Sequence, residues 1–377
     1  MTLRRSGIRV LLFAGVSTVA LTVGAAELRA ADVPVAPRAV LKAPPAVLPP
    51  SLTIWIEGAA IFTGGSNMNA LNPLGPNVFE GKSFDGKNVL AGPDFVSQRP
   101  KVGWEGAFGA DYRLPGLPGW HVSFDVRYGK SKADRQDFSS SNSDCFEGIG
   151  SFCYVGFSAS SQARFTENED HLVADFMVGR DFALGLIGLN QIKFGVRVAD
   201  LRARQNVQAQ HTFNAFSDGD SFFTSAIAVN INTKSEFLGV GPRIAAEGFI
   251  PLGGPWGVDW AGGLAVLFGK QKYDADTNGL SAEANGSGNG SGEATTFSSN
   301  VCATGGLLNC SSNKAVFNAD VNAALSYAFT PRAKLSAGIR FDGYWSALRT
   351  LNADFSGGLH NENRFYWGPF LRLTGAF

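Results

Sequence analysis

Trp120-His121-Val122-Ser123-Phe124-Asp125-Val126-Arg127-Tyr128-Gly129-Lys130 alternates between two kinds of residue without a slip. Trp120, Val122, Phe124, Val126 and Tyr128 fall on one face, and His121, Ser123, Asp125, Arg127 and Gly129 on the other. A period of two is that of a β-strand, whose successive side chains point to opposite faces. A soluble sandwich strand would alternate in the same way, so the decision rests on what surrounds this segment.

The same period recurs from residue 51 to the end. Ten segments carry it: Leu52–Phe62, Val102–Leu114, Trp120–Lys132, Ser161–Phe182, Leu189–Gln210, Ile231–Leu252, Trp256–Tyr273, Lys314–Thr330, Arg332–Leu348 and Asn361–Phe377. Their connections alternate in length. Pro115–Gly119, Ala183–Gly188, Gly253–Pro255 and the Thr330-Pro331 corner are short; Thr63–Lys101, Ala133–Ser160, His211–Asn230, Asp274–Asn313 and Arg349–His360 are long. Short turns on one side and long loops on the other are the pattern of a transmembrane barrel with periplasmic turns and extracellular loops. The expected fold is therefore all-β, an antiparallel up-and-down barrel of about ten strands, with eight or twelve as alternatives. Composition agrees. Glycine is abundant at 46 residues, phenylalanine reaches 30, and charged residues are only 17%, against about 25% in ordinary soluble domains. No internal run is long and apolar enough for a membrane helix. The zero net charge removes the electrostatic case for nucleic acid as a partner.

The parity of each segment assigns its faces. Val102/Trp104/Phe108, Leu172/Phe176/Val178, Ile192/Phe194/Val196, Trp260/Leu264/Val266/Phe268 and Leu335/Ile339/Phe341 make nearly charge-free faces suited to lipid. The opposite faces carry Glu57, Glu105, Asp111, Arg113, Asp125, Arg127, Asp175, Lys193, Arg197, Arg243, Glu247, Asp259, Asp320, Lys334, Arg340, Asp342 and Arg372, which are expected to line the lumen. Interspersed signs either seal such a lumen with salt bridges or border a narrow aqueous path. The inward glycines Gly103, Gly109, Gly195, Gly239, Gly241, Gly263 and Gly338 either widen it or admit large neighbours such as Trp55, Tyr344 and Phe370. Val198 and Asp200 share one face, so Asp200 lies above the interface or a bulge resets the register.

The last segment places Phe365, Trp367, Pro369, Leu371, Leu373, Gly375 and Phe377 on one face. With Leu371, Leu373 and the terminal Phe377 it looks like the signal read by outer-membrane assembly machinery, although Gly375 stands where an aromatic is commoner. At the other end, Arg4, Arg5 and Arg9 precede the apolar run Val10–Val23, and small residues follow at Gly24-Ala25-Ala26 and Ala30-Ala31. Residues 1–31 read as a cleaved signal peptide, with an uncleaved anchor as the alternative. Residues 32–51 hold six prolines, Pro34, Pro37, Pro44, Pro45, Pro49 and Pro50, and are expected to form an extended periplasmic tail, with a segment folded into the barrel mouth as the alternative. The barrel then spans residues 52–377. Together these features place the chain in the outer membrane of a Gram-negative bacterium.

The four cysteines are Cys145, Cys153, Cys302 and Cys310. An oxidising compartment favours disulfides, and four cysteines allow three pairings. The repeated spacing favours Cys145–Cys153 and Cys302–Cys310, each ring worth about 2–3 kcal/mol in the chain-entropy account. Neither pair has a histidine near it for a metal. The Gly/Asn/Ser run Asn285–Gly292 suggests that Asp274–Asn313 is a mobile loop, and its sparse carboxylates argue against calcium.

Phosphate-binding, zinc-protease and serine-elbow motifs are missing from the sequence. Asp170-His171 is the one pair worth weighing for catalysis, but adjacent strand residues point to opposite faces. No cofactor, no metal and no enzymatic role are expected. Gly103-Trp104-Glu105-Gly106, Trp120–Gly129, Phe194-Gly195-Val196-Arg197 and Phe237-Leu238-Gly239-Val240-Gly241-Pro242-Arg243 resemble the Legionella-type major outer membrane protein family. The leader Asp32–Pro50, with Lys42-Ala43-Pro44-Pro45, is similar to those of alphaproteobacterial outer-membrane proteins. The family is pore-forming, so the resemblance implies passive diffusion of small solutes. A closed-lumen structural or surface-interaction barrel is the alternative, and an outer-membrane enzyme ranks last. Expected partners are outer-membrane lipid, the assembly machinery and small solutes; the oligomeric state is left open.

Overall fold

The computed structural model describes residues 51–65, 69–71, 95–97, 101–133, 136–147, 153–183, 189–217, 221–287, 291–300, 302, 310–351 and 359–377. The expected signal peptide and proline-rich tail lie outside the described residues. Fourteen strands are described: β1 Leu52–Gly65, β2 Asn69–Leu71, β3 Phe95–Ser97, β4 Lys101–Arg113, β5 Trp120–Lys132, β6 Gln136–Glu147, β7 Cys153–Ala183, β8 Leu189–Ser217, β9 Ser221–Gly253, β10 Trp256–Ser287, β11 Ser291–Asn300, β12 Ser311–Thr330, β13 Ala333–Leu351 and β14 Leu359–Ala376.

Twelve of these share one antiparallel sheet; β6 hangs on β7 alone and β11 on β10 alone. The remaining ten close a ring in the order β1-β4-β5-β7-β8-β9-β10-β12-β13-β14, and β14 pairs back onto β1. The closing seam runs from Thr53↔Ala376 to Gly65↔Arg364. It is sealed at its end by reciprocal backbone bonds between Leu52 and Phe377, with N···O distances of 3.1 and 2.7 Å. Closure leaves the wall without a free edge, as a sheet in hydrocarbon requires. At one end the strands turn tightly. Gly253 and Gly254 both have positive φ, a conformation open to glycine without a Cβ clash.

The outward face is apolar over one belt. Phe194 is 59% exposed and Ile339 66%, and Val102, Trp104, Phe176, Val240, Leu264, Phe268 and Leu371 are exposed with them. Aromatic pairs mark both edges of the belt. Trp256 meets Tyr327 at 4.8 Å near the tight turns, whereas Phe62–Trp367 at 4.6 Å and Phe317–Trp345 at 5.2 Å lie toward the other end. Two aromatic girdles around an apolar band are the mark of a barrel in a membrane. Asp200 faces outward at the upper edge and bonds Arg202. The β8 ladders show no register shift there, so no bulge resets the parity.

The strand boundaries correct the expectation about loops. β7, β8, β9 and β10 are 31, 29, 33 and 32 residues long, against the roughly 9–11 needed to cross a bilayer. Most of His211–Asn230 is strand. The expected mobile loop Asp274–Asn313 is strand up to Ser287, paired with β9, and a hairpin partner follows at Ser291–Asn300. Ala133–Ser160 likewise holds β6 and the start of β7. Above the membrane the outward face meets water instead of lipid, so the polar/apolar alternation fades while the backbone ladder continues; inward, Phe165 and Val207 remain buried together. Cys302 and Cys310 form the expected disulfide. The side chains of Cys145 and Cys153 lie outside the described residues.

Placing an arginine at Phe194 should destabilise the barrel by roughly 2–4 kcal/mol. Urea unfolding in phosphatidylcholine vesicles checks this. An unchanged midpoint would mean that Phe194 does not face lipid.

Candidate functional site: the barrel interior

Inward parity brings the charged residues together in layers. At mid-height Arg197 on β8 is only 1% exposed. It grips Asp175 on the adjacent β7 bidentately, Nε to Oδ1 at 2.7 Å and Nη2 to Oδ2 at 2.6 Å. Its Nη1 crosses the lumen to β12, donating to Asn318 Oδ1 at 2.5 Å and Asp320 Oδ1 at 2.8 Å. Arg243 on β9 also binds the Asp320 carboxylate. Asn318 then donates to Asp342 on β13 at 2.7 Å. Asp342 also accepts the Tyr344 hydroxyl at 3.1 Å and pairs with Arg127 on β5 at 3.0 Å. The network therefore ties strands on opposite walls. Planar guanidinium forks suit such multiple recognition of carboxylates.

A second cluster stands beside it. Arg340 pairs with both Glu57 and Glu105 at 2.6 Å, Arg372 holds Glu57 at 2.8 Å, and His171 Nε2 lies 2.8 Å from Glu105. His171 thus points inward to Glu105, while Asp170 on the outer face lies 3.8 Å from Arg204. Strand alternation separates the two neighbours. Toward the tight-turn end Asp111 meets His121 at 2.8 Å and Lys193 at 3.0 Å, Lys193 meets Glu247 at 2.6 Å, Lys334 meets Asp259 at 2.6 Å, and Arg113 pairs with Asp181. Asp125 lies 3.5 Å from Arg127. Here the lumen opens into a cavity of about 260 Å³ bordered by Trp55, Asp111, Glu247, Asp259, Lys334 and Arg372. Gly109 and Gly263 face inward beneath Trp55 and Arg243. A Cβ at either would overlap the side chain lying across it, so these two glycines admit bulk rather than widen a channel.

The opposite half of the interior combines an apolar cluster, which parity alone had not revealed, with a third ion group, in which Arg364 on β14 pairs with Glu169 at 3.1 Å and Glu362 at 2.7 Å. Leu201, Phe237, Leu267, Val316, Tyr344 and Leu348 form the apolar cluster. β13 supplies its centre by bending inward. Its register with β14 jumps between Tyr344↔Arg364 and Leu348↔Glu362, so three residues stand against one. Ser346 there has φ 60°, a left-handed conformation costing a non-glycine residue about 1–2 kcal/mol. Side chains hold it in place. Ser346 N–H donates to Asn363 Oδ1 at 2.8 Å, and Gln271 Nε2 donates to the Ser346 and Ala347 carbonyls at 2.6 and 2.9 Å. Ser235 accepts from Arg349 N–H at 2.9 Å. Gln271 and Asn318 had no signal in the sequence beyond inward parity, and Asn363, at outward parity on β14, had none at all, because their partners lie on other strands.

A closed ten-stranded ring, an apolar belt edged by aromatics and buried charges inside define a transmembrane β-barrel of the outer-membrane type. No family model and no curated protein matches the chain. Among solved structures it is similar to the outer membrane protease OmpT from Escherichia coli, at 8% identity, covering 88% of this chain and 98% of that one with a TM-score of 0.33. It is similar to Neisserial surface protein A at 10% identity, 87% and 97% coverage and a TM-score of 0.22. For the toluene transporter TodX of P. putida the identity is 8%, the coverage 86% and 90%, and the TM-score 0.20. Scores this low carry nothing over to this chain, whose class rests on its own geometry.

Arg197→Met strips Asp175 and Asp320 of a buried partner and should cost about 3–5 kcal/mol. Urea midpoints measure the loss. A cost comparable to that of an exposed-arginine variant would show that the lumen is wet around Arg197.

Proposed function

We propose that this protein is an outer-membrane barrel whose lumen is closed at rest, and that it serves the membrane as a structural and surface-presenting element. The observation that carries this reading is the stacking of two seals in one lumen: the ion network around Arg197 and the apolar cluster centred on the inward bend of β13. Hydrated ions are excluded from an apolar constriction by the cost of shedding water. The long extensions of β7 to β10 offer a surface beyond the membrane. The chain enters this setting through the outer-membrane assembly machinery, with Leu371, Leu373 and Phe377 on the exposed face of its last strand. No catalytic role is assigned, because the geometry of Asp170 and His171 supports none.

A second reading, passive diffusion of small solutes, is favoured by the cavity at the tight-turn end, which Asp111, Glu247, Asp259, Lys334 and Arg372 border. It accords with the Legionella-type resemblance. On that reading the β13 bend is the barrier, and releasing it opens the path.

Planar-bilayer recording separates the two. The native barrel should give no steady single-channel steps at neutral pH. Gln271→Leu, which removes two bonds to the bend, should leave a folded barrel and raise the frequency of brief openings. Stable steps from the native protein would establish the diffusion reading instead.

A further inference from the structure

Above the apolar belt the outward faces of β5, β7, β8, β9 and β10 carry charges in cross-strand rows. The last apolar row contains Tyr128, Leu172 and Leu238, paired through β8 at Asp200 and ending at Lys270 on β10. The next row is Lys130↔Asp170↔Arg202↔Glu236↔Lys272. The one above it is Lys132↔Asn168↔Arg204↔Lys234↔Asp274. The lower row alternates in sign across all five strands, an arrangement that stabilises neighbouring pairs. Burial raises the Glu236 carboxyl, but the Lys234 hydrogen bond and the charges of Lys234, Arg202 and Lys272 hold it below its usual range. The upper row breaks the alternation. Arg204 and Lys234 stand directly opposite each other, half exposed, and like charges so placed repel. Across both rows six cations face three carboxylates.

Two features of placement say what would relieve that excess. The rows begin one pleat, roughly 7 Å, above the last apolar residues, where lipid headgroups replace hydrocarbon. The outward charge also thins, to Arg164 on β7 and Asp276 on β10. Further out on β8 the outward residues are Asn206, Gln208, Gln210 and Thr212, and on β9 they are Asn232, Asn230 and Ala228. Charges placed only to keep the extracellular extension soluble would be spread along it. These are concentrated at headgroup height and on one side of the ring.

We propose that the outward face of β5 to β10 binds the phosphate groups of an outer-leaflet lipid, with Lys132, Arg204 and Lys234 as the principal donors and Arg202 beside them. The alternating row below acts as a positioning layer. Its Glu236 holds Lys234 at 2.6 Å, and Asp200 in the row beneath holds Arg202 at 2.5 Å, so both cations are oriented before the lipid arrives. The binding is electrostatic and weakens with salt.

The test uses the full barrel refolded in detergent micelles and titrated with diphosphoryl lipid A, its dephosphorylated form and inorganic phosphate. Native protein should bind the diphosphorylated lipid, and R204Q/K234Q should bind it on the order of tenfold more weakly. Arg332→Gln, an exposed residue on a tight turn, should bind like native protein. The dephosphorylated lipid should bind all three variants equally and weakly. Equal affinity of native protein and R204Q/K234Q overturns the proposal. Inorganic phosphate competing at concentrations equal to those of the lipid overturns the lipid as occupant. Heat-modifiable mobility reports folding. Should the double variant fail to fold, K234Q alone decides, with a loss of roughly threefold expected.

Discussion

Everything in this barrel depends on pairing the first strand with the last. In hydrocarbon a free N–H or C=O has no water to turn to, and each one left bare costs several kcal/mol. The seam between Thr53–Gly65 and Arg364–Ala376 removes the last open edge. Once it is closed, the ten strands become one cylinder, and outward and inward are fixed for every residue by parity. The apolar belt, the girdles and the charged interior all follow from that single pairing.

Closure creates a second constraint inside. Ten tilted strands enclose a narrow space that side chains largely fill. The protein fills it in two ways. It packs apolar side chains around a bend of β13, and it cross-links carboxylates and guanidinium groups between walls, around Arg197 in one half and around Arg364 in the other. Buried ion pairs are a poor source of net stability because desolvation offsets their attraction. Their value here is geometric: Arg197 and Asp342 each engage partners on more than one strand, so they fix how the walls face each other. Small residues such as Gly263 are the complement of that packing.

The extensions beyond the belt show the limits of reading by pattern. Trp120–Lys132 was legible as β5 to the residue, because one face meets lipid and the other the interior. Asp274–Ser287 was not, since its outward face meets water rather than lipid and Asp, Asn, Gly and Ser make up much of it. Its strand state comes from hydrogen bonds to β9 and β11, partners that leave no trace in local composition. The inward residues of the cluster around Phe237 were likewise hidden. A phenylalanine at an inward position looks like an error of parity until a bend in β13 gives it a neighbour.

The sequence alone determined the class of wall. A sustained period of two, few charges at outward positions and alternating short and long connections leave a membrane barrel as the one architecture that satisfies the backbone. It also pointed many of the charges inward, because parity is local and needs no knowledge of partners, but it passed over Glu169, Glu362 and Arg364, which are buried with them. Only the tertiary structure decided what the interior does. Whether Arg197, Asp320 and Asp342 border water or join each other depends on cross-lumen distances, set by strand number and register. The β13 bend depends on Gln271 and Asn363 arriving from other strands. Those are long-range contacts, and no periodicity along a single chain encodes them.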